Sequence, residues 1–165
     1  MSSESAEQAP RAAPDVYITD IILPNQTNNH GTMFGGEVLA LMDKAAGIAA
    51  LRFCRQPVVT ASTERIDFRT PIQQAEVIEA QARVIYVGRS SMIVRIRILA
   101  EHPLIGDRRV CTTGYFSMVA IDKAGRPHPV PRLLLEDDEA RAEWEVGEEI
   151  RRAIEARRER TQPAD

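Results

Sequence analysis

The sequence predicts an α+β domain in which an antiparallel sheet wraps around one long helix. A single long apolar segment with helical character, 36–53, is followed by four long segments with strand character and turn residues between them. The chain has 165 residues, of which 44% are hydrophobic, enough for one domain with a core. Because one helix is available to cover the apolar side of the sheet, a sheet curling around it is the simplest arrangement.

The elements are predicted in the order strand, helix, four strands, helix. The first strand covers 16–23 and ends at Pro24, and a polar loop then leads to the helix at 36–53. Pro57 separates this helix from strands at 58–68, 76–87, 91–101 and 109–121. The connector 88–90 is short enough to join two of these strands as a hairpin.

Side-chain periodicity predicts which faces are buried. In the strand at 91–101, Arg95 and Arg97 alternate with apolar residues, which predicts one face in water and one in the core. Apolar residues of the 36–53 helix spread nearly all the way round it, as expected for a wrapped helix. Asp43 projects away from the charged residues of this helix, and its small neighbours Ala40, Gly47 and Ala50 leave room for a ligand to approach.

The chain is predicted to have three parts: a disordered leader over 1–13, a domain over 14–132, and a charged helix and tail over 133–165. The leader is rich in Ser, Glu, Ala and Pro. Residues 136–160 carry ten acidic and six basic residues and one thin apolar stripe, which predicts a helix lying on the surface or on a neighbouring subunit. The stripe consists of Trp144, Val146, Ile150 and Ile154.

Composition excludes several classes of function. A net charge of −3 gives no indication of a nucleic-acid or anionic-membrane partner. Cys54 and Cys111 form neither a disulfide framework nor a metal-ligand pattern, so we expect buried thiols in a reducing, cytoplasmic setting. The sequence shows no signal peptide and no apolar run long enough to span a membrane.

Polar residues and two adjacent glycines precede the predicted helix in the segment 28–36, Asn-Asn-His-Gly-Thr-Met-Phe-Gly-Gly. A helix start at Gly35 and Gly36 offers free backbone N–H groups and a positive dipole end, which suit a developing oxyanion. Asp43 lies two turns further on and can act as a general base on water or as a nucleophile. In an otherwise apolar helix this carboxylate would carry a desolvation cost of at least a few kcal/mol, which argues against a purely structural role.

Three motifs resemble the hotdog-fold acyl-CoA thioesterases of the acyl-CoA hydrolase group. They are LPNQTNNHGTMFGGEVLALMD at 23–43, VGRSS at 87–91 and VAIDxxGRPxxVP at 119–131, and the resemblance covers about 17–132. It implies a hotdog fold and hydrolysis of acyl-CoA to a free fatty acid and CoA. CoA would enter as part of the substrate, without a separate cofactor or a metal. The resemblance also implies homodimers with shared active sites, assembled as a trimer of dimers into a hexamer.

The resemblance also implies roles for individual residues. Asp43 corresponds to the catalytic aspartate, Asn28 to an asparagine contributed by the facing subunit, and Gly36, beside Gly35, to the amide that polarises the thioester carbonyl. The segment that contacts CoA corresponds to Gly88, Arg89, Ser90 and Ser91. Thr60 and Arg126 are further candidates for contacts with the substrate.

Other interpretations stay open at this stage. Asn28 is also a typical turn residue, and an exposed Arg89 in a hairpin needs no ligand. His30 can be a general base, but no carboxylate partner is evident. The chain can instead be a non-catalytic acyl-CoA sensor, or a thioesterase for acyl carrier protein or aromatic acyl-CoA. A dehydratase would require Asp43 and His30 to act as a pair.

Overall fold

The computed structural model describes residues 8–161, in which a five-stranded antiparallel sheet carries one helix on each face. The strand order is β1-β3-β4-β5-β2, so β1 and β2 are the two edges. The predicted fold class is confirmed, and each helix and strand begins and ends within two residues of its predicted limits. The elements are β1 (Val16–Ile21), α1 (Gly35–Cys54), β2 (Val58–Phe68), β3 (Val77–Val87), β4 (Ser91–Glu101), β5 (Arg109–Ala120) and α2 (Asp138–Thr161).

Small side chains let α1 lie close to the inner face of the sheet. Its buried side is formed by Val38, Met42, Ala45, Ala46, Ala49, Ala50, Phe53 and Cys54. On β5, Gly114 permits this contact, since a Cβ there would lie 2.7 Å from Met42 Cε and 2.7 Å from Ile66 Cγ1. Burial of this face supplies the apolar driving force that fixes the helix on the sheet.

The opposite side of α1 is open in the protomer. Gly36, Ala40, Asp43, Lys44 and Leu51 are all exposed. The prediction of a helix covered nearly all the way round is therefore wrong for a single chain. Apolar residues do extend around the helix, but the sheet covers one side of it, and no second layer formed by residues 8–161 lies over the other.

The outer face of the sheet is covered by α2 over part of its area. Ile150 and Ile154 pack against Ile85 and Ile93, and all four are at most 2% exposed. Trp144 lies against Tyr86 with ring centroids 4.5 Å apart. The predicted C-terminal helix thus lies on the sheet of its own chain. Neither α1 nor α2, the long helices of the described part, has the length and apolar character needed to cross a membrane.

The sequence predicted that the outer face of the sheet lies in water, but α2 buries part of this face. Arg95 is only 9% exposed and forms an ion pair with Glu143 of α2. Alternation of arginine with apolar residues identified the outer face correctly. It did not reveal that a helix from the end of the chain supplies a carboxylate to one of those arginines, which makes its burial tolerable.

Residues 8–13 also depart from the prediction, because they are ordered against the rest of the chain. Arg11 pairs with Leu133 in a short bridge, and its Nη1 donates to the carbonyl of Phe53 at 3.1 Å near the end of α1. Ala13 is 8% exposed. A cation at a helix C-terminus complements the helix dipole, which helps to hold this segment. The rest of the predicted leader, residues 1–7, lies outside the described residues.

Candidate active site

Asn28 organises the loop that precedes α1. Its Oδ1 accepts hydrogen bonds from the backbone N–H groups of His30 at 2.9 Å and Thr32 at 3.2 Å. Its Nδ2 donates to Thr32 Oγ1 at 2.8 Å. The turn role expected of an asparagine is therefore realised. One of the two amide hydrogens is used in this way, and the amide still has a second one that it can donate to a ligand.

The start of α1 presents backbone donors to open space. Phe34 occupies the N-cap position and makes no side-chain capping bond. The first N–H groups of a helix have no partner within the helix, so those at Gly35 and Gly36 can bind a negatively charged oxygen. A Cβ built on Gly36 would meet no atom of the described residues within 4 Å. This arrangement suits the polarisation of a carbonyl group.

Asp43 is held by a residue of the edge strand β2. Thr60 Oγ1 donates a hydrogen bond of 2.6 Å to Asp43 Oδ1, and it also lies 3.5 Å from Met118 Sδ. Asp43 is exposed in the protomer, and a Cβ on nearby Gly47 would meet no described atom within 4 Å. The sequence argument from desolvation of Asp43 is thus wrong for the isolated chain, because the open face of α1 leaves the carboxylate in contact with solvent.

Thr60 makes a contact that the sequence did not predict. Its hydroxyl, which has a single proton, donates to Asp43, and its contact with the substrate stays a prediction. The pairing of Thr60 with Asp43 depends on how α1 packs across β2. A sequence gives no direct signal for a contact between residues that are 17 positions apart in two different elements.

The candidate site has two parts, the start of α1 and Asp43, and they lie far apart within one chain. Gly36 and Asp43 are seven positions apart along α1, which at 1.5 Å per residue corresponds to about 10 Å along the axis. Asn28 belongs to the loop at the same end as Gly36. One carbonyl group cannot contact both the helix start and Asp43 of the same chain.

The hairpin between β3 and β4 contains the motif 88–91. A Cβ on Gly88 would lie 2.8 Å from Ser91 Oγ, so a side chain at position 88 would displace the Ser91 hydroxyl. Ser91 is 6% exposed and packs inside the turn, whereas Arg89 is exposed. The carbonyl of Arg89 accepts from Val130 N–H at 2.9 Å, and that of Ser90 accepts from Ala120 N–H at 2.9 Å. The hairpin is thus fixed from both sides and leaves the Arg89 side chain accessible.

The position of this hairpin matters for the site. It lies where β2 begins and β5 ends, which is also where Thr60 holds Asp43. The helix start lies at the opposite end, where Met33 N–H donates to the carbonyl of Ile72. Within one chain the structure therefore groups Arg89 with Asp43 and Thr60, and groups Asn28 with Gly36.

The other candidates have simpler surroundings. Arg126 forms an ion pair with Asp122, with 3.1 Å between Nε and Oδ2. His30 is exposed in the loop, and Asp43 pairs with Thr60, so a dehydratase pair is not formed within this chain.

Burial raises the pKa of both the Cys54 and Cys111 thiols, as expected of unreactive cysteines. Among residues 8–161, no group of three His, Cys, Asp or Glu side chains is arranged to hold a metal ion.

The fold and this site define a thioesterase of the hotdog class, and comparison with known proteins agrees. The sequence pattern of the Thioesterase superfamily matches residues 30–106. A Bacillus subtilis protein, the uncharacterized acyl-CoA thioester hydrolase YkhA, is 40% identical over 124 residues, covering 75% of this chain and 72% of the relative. The chain belongs to the acyl-CoA thioester hydrolase family.

A mouse relative is much longer than this chain. The cytosolic acyl coenzyme A thioester hydrolase of Mus musculus is 31% identical over 130 residues, which covers 77% of this chain but 34% of the mouse protein. The chain thus spans about a third of that relative.

Solved structures support the same assignment. An acyl-CoA hydrolase from Staphylococcus aureus, in complex with butyryl-CoA, CoA and CoA disulfide, has a TM-score of 0.83 and 33% identity over 89% of this chain and 90% of its own. Alanine variants of an aspartate, an asparagine and a threonine of that enzyme have also been solved. An apo-hexameric acyl-CoA thioesterase has a TM-score of 0.86 and 30% identity over 94% of this chain and 100% of its own.

Proposed function

We propose that this protein hydrolyses acyl-CoA thioesters to a free carboxylic acid and CoA. The observation that carries the proposal is one helix with two reactive features: uncapped N–H groups at Gly36 and a carboxylate, Asp43, oriented by Thr60. Membership of the acyl-CoA thioester hydrolase family supports the substrate class.

The active site is shared between two copies of the chain. The distance of about 10 Å along α1 between Gly36 and Asp43 supports this arrangement, as do the open face of α1 and the free edge of β2. If two β2 edges pair around a two-fold axis, the open faces of the two helices meet and run antiparallel. The start of one helix then faces Asp43 of the partner subunit, and the reverse holds at the second site.

Hydrolysis in such a site follows from the roles of these groups. The amides of Gly36 and Asn28 donate to the thioester oxygen and stabilise the negative charge that develops there. Asp43 of the partner subunit removes a proton from water as the water attacks the carbonyl carbon, or it attacks the carbon directly and forms an anhydride that water then cleaves. The C–S bond breaks, and the CoA sulfur leaves as a thiolate that takes up a proton.

CoA binds along the hairpin at 88–91. The accessible guanidinium of Arg89 suits the phosphate groups of CoA, which it can bind through two parallel N–H donors. Gly88 and Ser90 contribute a compact backbone next to it. Ser91 is 6% exposed, which favours a role in shaping the turn over direct contact with CoA.

The assembly that we propose is a hexamer built as a trimer of dimers and located in the cytoplasm. A solved relative is named as hexameric and the mouse relative as cytosolic. A closed hexamer needs a second interface besides the β2 edge. Leu104 and Ile105, which are 90% and 74% exposed at the tip of the β4–β5 hairpin, suit that interface. The reaction uses only substrate and water, so we propose no resident cofactor or metal.

The test is CoA release from acetyl-, butyryl-, octanoyl- and palmitoyl-CoA by wild type and Asp43→Asn. Thioester loss followed by absorbance avoids thiol reagents that modify Cys54 or Cys111. We expect kcat to fall at least about a hundredfold in the variant, as for removal of a general base, with CoA affinity unchanged. Equal turnover by the variant would contradict the role of Asp43. Binding of CoA without turnover of any acyl-CoA by wild type would overturn acyl-CoA hydrolysis and favour a sensor or a thioesterase for acyl carrier protein.

A further inference from the structure

A cavity of about 240 Å³ lies beside the start of α1. It adjoins the backbone donors that polarise the thioester carbonyl in the proposed function, because Gly35 is one of its lining residues. Half of its lining is apolar side chain, which suits a hydrocarbon chain. Met33, Val38, Phe68, Pro71 and Ile72 supply the apolar part of the lining.

Phe68 lies across the space next to the helix start. Its ring is 3.7 to 4.0 Å from the position that a Cβ on Gly35 would occupy. Phe68 is the last residue of β2, lines the cavity and is 54% exposed. An acyl chain that enters the cavity from a carbonyl bound at Gly36 would contact this ring.

The opposite wall of the cavity is held by an ion pair. Arg109 donates to the two carboxylate oxygens of Glu76 at 2.7 and 2.8 Å and to the carbonyl of Pro71 at 3.1 Å. Glu76 also accepts from Gln73 N–H at 2.8 Å and is 4% exposed. These bonds fix the segment that carries Pro71 and Ile72. Phe68, by contrast, is half-exposed at the end of a strand, so a substitution there can change the cavity without disturbing this ion pair.

We propose that this cavity is the acyl pocket and that Phe68 limits the length of the chain it accepts. The Phe68 ring lies beside the helix start and lines the cavity, so a smaller side chain at this position leaves more room for a long acyl chain. This inference rests on the proposed function, because it assigns the acyl part of the same substrate.

The test is kcat/KM for acyl-CoA substrates from two to sixteen carbons. Wild type should be less active on palmitoyl-CoA than on octanoyl-CoA, because Phe68 restricts long chains. Phe68→Ala should raise the ratio of palmitoyl-CoA to octanoyl-CoA activity at least about tenfold, a size of effect typical of changing the fit of a hydrophobic pocket. Phe34→Ala is the matched control, since Phe34 is 51% exposed nearby but does not line the cavity. It should keep the wild-type ratio.

The outcomes separate this inference from the proposed function. If wild type releases no CoA from any substrate, the proposed function fails. If wild type is active but Phe68→Ala keeps the wild-type ratio, or Phe34→Ala shifts it equally, the acyl-pocket assignment is overturned. Phe68→Leu removes less volume and should fold where Phe68→Ala does not. A shift toward longer chains in Phe68→Leu supports the proposal, and an unchanged ratio contradicts it.

Discussion

Thr60 Oγ1 donates a hydrogen bond of 2.6 Å to Asp43 Oδ1 and so connects the edge strand β2 to the open face of α1. A hydroxyl that donates to a carboxylate at this distance makes a strong, charge-assisted bond. The bond uses one oxygen of Asp43 and leaves the other oxygen to accept a proton from water. In the proposed mechanism, Thr60 is therefore a positioning residue for the carboxylate.

Removal of the Thr60 hydroxyl should slow catalysis without weakening binding. We expect Thr60→Val, which has nearly the same shape, to lower kcat by roughly tenfold or more with little change in KM, because the carboxylate loses its fixed orientation. Thr60→Ser keeps the hydroxyl and should recover most of the rate. Steady-state kinetics of both variants checks this. If Thr60→Ser is as slow as Thr60→Val, the hydroxyl is not the important group.

Arg89→Ala tests the predicted CoA contact. Loss of a charge-assisted hydrogen bond to phosphate should weaken CoA binding by about tenfold and raise KM, with a smaller effect on kcat. Titration calorimetry with free CoA measures the affinity directly. Arg158→Ala is a suitable control, since Arg158 is an exposed arginine near the end of α2. An unchanged CoA affinity in Arg89→Ala would remove Arg89 from the site.

Glu76→Gln tests the ion pair that holds the cavity wall. Hydrogen bonds from Arg109 hold the pKa of the Glu76 carboxyl below its usual value. We expect the variant to lose about 2 kcal/mol of unfolding free energy at pH 7, at the low end for a buried pair because Arg109 is partly exposed.

The effect of Glu76→Gln should depend on pH. A carboxyl with a lowered pKa stabilises the fold fully above the unfolded glutamate pKa of about 4.3, and this contribution is lost as the pH falls through the lower pKa of the folded state. The difference between wild type and variant in urea unfolding should therefore shrink below about pH 4. If the difference in unfolding free energy between wild type and Glu76→Gln stays constant from pH 7 to pH 3, the ion pair is not its source.

Gly147→Ala tests how closely α2 packs on the sheet. Alanine normally stabilises a helix by about 1 kcal/mol relative to glycine. Here a Cβ on Gly147 would overlap Cβ of Tyr86, so α2 would have to move away. We expect a net loss of about 1 to 3 kcal/mol in unfolding free energy, as for other overpacked contacts. A stabilised variant in urea unfolding would mean that α2 is not packed on Tyr86.

Sequence patterns predicted the elements because apolar periodicity and turn residues act locally. They also located the polar loop, the paired glycines and Asp43, which occur within one continuous segment. They did not predict that α2 buries Ile93 and Arg95, or that Thr60 holds Asp43. Periodicity shows which face of an element is apolar, but it does not show which distant segment covers that face. The same limit explains why the open side of α1 was not foreseen.

The shared active site is tested most directly by combining two inactive variants. Asn28→Ala and Asp43→Asn chains with different tags are expressed together in equal amounts, and the assemblies that contain both chains are purified through both tags. If each site takes Asn28 from one chain and Asp43 from the other, a mixed dimer contains one intact site and one doubly altered site. We predict that CoA release recovers to about half the wild-type rate per mixed dimer, or about a quarter per dimer if the two chains pair at random. A mixed dimer no more active than either parent variant would contradict the shared site.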